Sequence, residues 1–145
     1  MEFMKKLKKM IQIDESDELL AINNEYHQTL LHLASFDNDF YEMERLVMEG
    51  VDINVQDKRG KTPLHYCAIN NNYDAVVLLL TNGARIDIND NFGNHALWDS
   101  VLNCKGDVRV VEQLLLCSSD INHKNINHQS VLDAVRLIED YKLLR

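Results

Sequence analysis

Six histidines and three cysteines are the side chains of this 145-residue chain best able to hold a metal or attack an electrophile. Their spacing supports neither chemistry. Cys67, Cys104 and Cys117 are odd in number and contain no C-x-x-C pair, which argues against a disulfide framework and against a thiolate zinc site. His95, His123 and His128 fall in or near turns and share no i, i+4 helical spacing of the metalloprotease type. Cys104 lies in a polar connection and is the one cysteine for which reactivity is arguable, yet no base can be assigned to it. Glycine-rich phosphate loops, nucleophile elbows and paired-carboxylate motifs are all missing from the sequence. The chain is therefore expected to be no enzyme, to need no metal or cofactor, and to act by binding.

Charge narrows what it binds. The formal net charge is −8, but the first ten residues carry Lys5, Lys6, Lys8 and Lys9 against Glu2, a local +3 that leaves −11 on residues 11 to 145. Such a body repels nucleic-acid phosphate and favours a basic protein partner, because opposite net charges speed encounter. With 46% hydrophobic residues, one proline and five glycines, the chain reads as a single ordered domain without a linker or low-complexity tail. The opening MEFMKKLKKMIQI has no continuous apolar stretch or cleavage site, and no later run is long enough to cross a membrane. A cytoplasmic chain, monomeric when free, is expected.

The elements that position these residues repeat. At an offset of 33, Thr29-Leu30-Leu31-His32-Leu33-Ala34 recurs as Thr62-Pro63-Leu64-His65-Tyr66-Cys67. The same step takes Gly60 to Gly93, Leu64 to Leu97 and His65 to Trp98. Ser130-Val131-Leu132-Asp133 follows Thr62 by 68 residues, and the surplus of two falls in Asn103-Cys104-Lys105-Gly106-Asp107. Insertions belong in connections. Within a unit, Thr62 suits an N-cap and Pro63 the first helical position. Leu64, Cys67 and Ala68 then form a narrow apolar stripe, Asn71 stops the first helix, and a second helix ends at Gly83. Helix pairs are predicted at 29–38 and 41–49, 62–71 and 74–82, and 95–103 and 108–117. Helices this short cannot bury their own apolar faces, so the units must stack.

The segment from Asp57 to Asn89, with Gly60, Thr62-Pro63-Leu64-His65, Ala68, Leu79-Leu80 and Gly83-Ala84, resembles a nearly complete ankyrin repeat. Segments 24–56 and 90–123 are similar with substitutions: His27 at the turn glycine and Leu30 at the proline in one, Ala96, Trp98 and Ser118 in the other. The resemblance implies an all-α ankyrin-repeat solenoid of stacked helix pairs with β-hairpin-like turns. About four repeats are expected, including degenerate end units, in one domain spanning 1–145. Residues 1–22 would form an N-terminal cap and 124–145 a degenerate C-terminal cap repeat. The lysine-rich start, with Phe3, Met4, Leu7, Met10 and Ile11 opposite, is thereby read as a capping helix rather than a membrane anchor. The resemblance also assigns His32 and His65 to hydrogen bonds with the motif threonine and neighbouring turns, and makes Cys67 and Trp98 core residues.

In an ankyrin stack the turns and the outer side of the first helix line a concave face. Carried onto this sequence, the partner-binding candidates are Tyr26, Gln28 and Phe36 in the first unit. The second gives Lys58, Arg59, Lys61 and Ile69, and the third Asn91, Phe92, Asn94 and Leu102. Large aromatics and arginine on a rigid face dominate binding energy. The third unit with its longer connection also resembles small stand-alone bacterial ankyrin proteins of the polymorphic-toxin immunity type. That resemblance implies an immunity protein that neutralises a basic toxin or effector domain by occluding its active site. The alternative is a regulatory scaffold or inhibitor of a cellular enzyme.

Overall fold

A computed structural model describes residues 25–117 and 119–143. The capping helix expected in residues 1–22 lies outside the described residues. Seven helices and no strand occur among them: α1 (Leu30–Phe36), α2 (Phe40–Met48), α3 (Pro63–Ile69), α4 (Tyr73–Thr81), α5 (Ala96–Asn103), α6 (Arg109–Leu116) and α7 (Val131–Leu143). Helices α1, α3, α5 and α7 pack in succession as an inner row, and α2, α4 and α6 as an outer row. Each complete unit contributes one helix to each row, and the last described unit contributes α7 to the inner row.

The short helices start where side chains replace missing backbone partners. Thr29 and Thr62 precede α1 and α3 with extended backbone, and each donates its main-chain N–H to Nδ1 of the histidine three residues on, at 3.1 and 3.0 Å. Asp39 and Asn72 accept from the N–H of Glu42 and Ala75 to open α2 and α4. Between inner and outer helix the chain turns back through Asn38 at φ 61° and Asn71 at φ 51°, a region asparagine enters at low cost. In the third unit this connection runs from Cys104 to Val108, and neither α5 nor α6 has a side-chain cap bond. The predicted insertion lies in this connection. Asn71 holds it down by donating its side-chain amide to the carbonyls of Cys104 and Asp107 at 3.2 and 3.1 Å.

The core is one continuous cluster running through all the units rather than one per unit. Leu31, Leu64 and Leu97, one repeat apart, are each 1% exposed, and the adjacent register of Leu30, Pro63, Ala96 and Val131 stays buried into α7, where Leu132 is 40% exposed. Cys67 is buried among them, and burial pushes its thiol up to about 12, which makes it an inert filler. Trp98 packs on the cluster half-buried rather than inside it. The turns approach each other closely enough to dictate glycine: a Cβ on Gly60 would lie 2.6 Å from Asn91 Oδ1 and 2.8 Å from the Asn91 nitrogen. Gly83 has the same left-handed backbone but nothing within 4 Å of its would-be Cβ.

Two stability measurements follow from this packing. Leu64→Ala is expected to cost about 2–5 kcal/mol by urea denaturation, from lost burial plus the residual cavity. A change below about half a kilocalorie would contradict the core position. Gly60→Ala and Gly83→Ala both incur left-handed strain of about 1–2 kcal/mol. Only Gly60→Ala also drives a methyl into the next turn, so its cost is expected to be the larger.

Candidate protein-binding face

The turns that precede α3, α5 and α7 are built around one buried acceptor apiece. Asp57 Oδ1 accepts from the main-chain N–H of Arg59 and Lys61 at 2.9 and 3.0 Å. Asp90 does the same for Phe92 and Asn94, and Asn125 for Asn127 and Gln129, with the same two distances. Both kinds of side chain form such Asx turns because a short side-chain oxygen can mimic a backbone carbonyl. Successive turns are then laced by main-chain bonds: Lys58 N–H to Tyr26 O at 2.8 Å, Asn91 N–H to Arg59 O at 3.0 Å, and Ile126 N–H to Phe92 O at 2.9 Å. These bonds place Tyr26, Arg59 and Phe92 in register across three turns. The Arg59 guanidinium stacks 5.0 Å from the Tyr26 ring centroid.

A second row runs beside the first. Phe36, Ile69 and Leu102 stand one repeat apart at the C-terminal ends of α1, α3 and α5. Phe36 is 60% exposed, Phe92 58%, Leu102 49% and Tyr26 39%, whereas Ile69 is half-buried. Phe36 also meets the ring of Tyr66 edge-on at 5.9 Å. Lys58 and Arg59 are exposed, as is Asn91, whose amide donates to Lys58 O at 2.8 Å.

Three other sequence-predicted residues are corrected by their surroundings. Lys61 is an internal ion pair rather than a free surface cation: its Nζ lies 2.8 Å from Asp90 Oδ2 and 3.5 Å from Asp99 Oδ2, with 15% of its side chain exposed. Gln28 is half-buried and donates to Asp57 Oδ2 at 3.4 Å and to Tyr66 Oη at 3.3 Å. Asn94 is half-buried, with its Oδ1 accepting from Asn125 and its carbonyl from His65. All three reach across a repeat junction, where unpaired polar atoms would be costly. His95, expected in or near a turn, is the buried residue that precedes α5, its Nε2 2.9 Å from Asp120 O.

The residues that the sequence reading passed over line the floor of this face. Leu33, Tyr66 and Asp99 share one register in α1, α3 and α5 and differ in chemistry; that mismatch within a repeat is the signal that could have found them. Tyr66 donates its hydroxyl to Asp57 Oδ2, and burial with this bond raises the phenol to about 12. In the next unit Asp99 takes the tyrosine's place beside Asp90, with Lys61 between the two carboxylates. His65, Asp90 and Asp99 bring possible metal-ligand atoms within 4.8 Å of one another. The cation there is the Lys61 ammonium, and His65 has no ring nitrogen to spare: Nδ1 accepts from Thr62 and Nε2 lies 3.0 Å from Asn94 O.

Two buried groups in this cluster titrate in opposite senses. Burial pushes His65 down to about 4, so it contributes stability above the unfolded value of 6.5 and loses it as pH falls towards 4. The full effect corresponds to about 3 kcal/mol. Burial, helped by Asp90 and opposed by Lys61, pushes Asp99 from 3.8 up to about 7. Its contribution is present below the unfolded value and lost as pH rises through about 7. Asp99→Asn is therefore expected to gain stability relative to the wild type as pH rises through about 7, and to fall more steeply than the wild type below pH 6.5. Urea midpoints at stepped pH measure both slopes. A difference independent of pH would show that Asp99 does not titrate in this range.

The sequence matches the profile of ankyrin repeats in three copies over residues 31–125. No curated protein matches the chain. Among the described residues no helix is long and apolar enough to cross a membrane. The profile covers well over half of the chain and spans the three helix pairs α1 to α6, whose turns are laced to one another by main-chain bonds; the chain belongs to the ankyrin-repeat family and is a protein–protein interaction module.

Proposed function

We propose that this chain is an immunity-type inhibitor that binds a basic toxin or effector domain in the cytoplasm and occludes its active site, acting by binding alone. The observation that carries this reading is the pair of exposed rows: Tyr26, Arg59 and Phe92 on the turns, with Phe36 and Leu102 at the inner-helix ends. Closure of the repeat does not require them, because Asx turns, buried leucines and the turn glycines already perform it. Aromatic and arginine side chains held on a rigid scaffold can anchor a partner with little further loss of conformational freedom. The acidic body, −8 overall, supports a partner of opposite charge. The resemblance to stand-alone immunity proteins supports a toxin as that partner.

The test is capture of the partner from the native cell, followed by calorimetric titration against wild type and a Tyr26→Ala, Arg59→Ala, Phe92→Ala variant. The variant is expected to remain folded, losing about 1 kcal/mol at most, since the exposed cation–π stack contributes about 0.5–1 kcal/mol. Affinity is expected to fall at least about a hundredfold, because anchors of this kind cost about 2 kcal/mol or more each when truncated. The wild-type chain should also abolish the captured protein's activity at one equivalent. Unchanged affinity in the folded variant would move the interface to the opposite face, and binding without inhibition would remove the immunity role.

A further inference from the structure

The second turn carries a local charge opposite to that of the whole chain. Lys58 and Arg59 are both exposed and form no ion pair among the described residues. Glu25, in register with Lys58 on the first turn, is exposed, whereas the two buried carboxylates beside the cations are already committed. Asp57 uses Oδ1 for its own turn and Oδ2 for Tyr66 and Gln28. Asp90 uses Oδ1 for its turn and Oδ2 for Lys61. Both are buried, so what the turn offers to a partner is the two cations. The Arg59 guanidinium moreover lies over the Tyr26 ring, 5.0 Å from its centroid. A guanidinium so placed still presents the N–H fork that matches a carboxylate. In register with Arg59, Tyr26 stands on one side and Phe92 on the other, so an apolar wall flanks the cation in both directions.

We propose that the second turn is a receptor for an acidic segment of the protein partner: an Asp or Glu carboxylate binds the Arg59 fork and Lys58, and an adjoining apolar side chain rests on Phe92 or Tyr26. This rests on the binding face described above and names the chemistry recognised there. It is compatible with a partner that is basic overall. Net charge governs the approach, while contacts at the turn set the register once the surfaces meet within a Debye length of about 8 Å. A bidentate carboxylate also discriminates well, because a partner lacking it would leave the Arg59 fork desolvated and unpaired.

The test uses the full chain and a displayed random-peptide library, selected against the wild type and against Lys58→Gln/Arg59→Gln, with melting curves to show that both are folded. Peptides preferring the wild type are expected to carry Asp or Glu beside an aromatic or aliphatic residue. Synthetic copies should bind the double variant at least about tenfold more weakly, and should lose a similar factor when the acid is replaced by its amide. Arg59→Lys, which keeps the charge and loses the fork, should fall between the two. Selected peptides without acidic enrichment, or indifferent to the double variant, would overturn the proposal. If those peptides instead fail on Phe36→Ala/Leu102→Ala, the face binds protein and only the carboxylate anchor is wrong. Recovery of no peptide that responds to either pair would overturn both readings. Binding of a single-stranded oligonucleotide that is lost in the double variant would overturn it in favour of phosphate.

Discussion

The stack depends on a buried imidazole that joins one unit to the next. In the first unit His32 accepts from Thr29 at Nδ1 and reaches Lys61 O at 2.9 Å through Nε2, and His65 repeats this between Thr62 and Asn94 O. One neutral ring thus serves as the capping partner of its own helix and as the donor to the following turn. The accepting Nδ1 and donating Nε2 fix a single tautomer, and a second proton would cost the capping bond. Burial lowers the pKa of both histidines, which keeps them in the state the junction needs. At these two junctions that donor, reaching the next turn's carbonyl, aligns one unit on the following one.

The third unit shows what happens when the device is lost. Trp98 takes the position of His65 and can neither accept from a capping residue nor bond the next turn in the same way. His95 occupies the threonine position, and its Nε2 lies against Asp120 O, while His123 Nε2 lies 2.8 Å from Gly93 O with the two rings 5.1 Å apart. Within this unit a different pair of imidazoles bonds in opposite directions, and the junction to the last unit is made by Ile126 N–H to Phe92 O and by the Asn125 amide to Asn94 Oδ1. Its helices lack side-chain caps, and the connection between them is held by Asn71 of the preceding unit. The degeneracy read at the end of the array is thus a change of hydrogen-bonding partners with the stacking preserved.

Function falls to side chains that this bonding leaves over. Each turn needs its acceptor, its close-packed glycine or a residue able to take a positive φ, and its main-chain bond to the neighbouring turn. The polar residues drawn into that work, Gln28, Lys61 and Asn94, are lost to a partner. Arg59 and Phe92 at turn tips and Phe36 and Leu102 at inner-helix ends keep exposed side chains, and because the turns stack in register these lie in rows. A rigid scaffold that leaves rows of aromatic, aliphatic and cationic side chains exposed has the composition of a binding surface.

The sequence alone determined the repeat, its period, the helix pairs and the register of the buried leucines, because these rest on local caps, turn residues and apolar spacing that recur at 33 residues. It also placed Tyr26, Arg59 and Phe92 at matching positions, since a position in a repeat is a coordinate along the stack. Only the tertiary structure decided which of the candidate polar residues remain free. Lys58 and Lys61 are both lysines of one turn, yet Lys58 is exposed and Lys61 sits between Asp90 and Asp99 of the next unit. Likewise Tyr66 and Asp99 looked like unremarkable variations until Asp57 of the same unit and Lys61 of the preceding unit were brought beside them. The physical reason is that capping and turn formation join residues within about four positions, whereas neutralising the buried Asp90 and Asp99 takes Lys61, which stands 29 or more residues away on a surface that meets them only once the units have stacked.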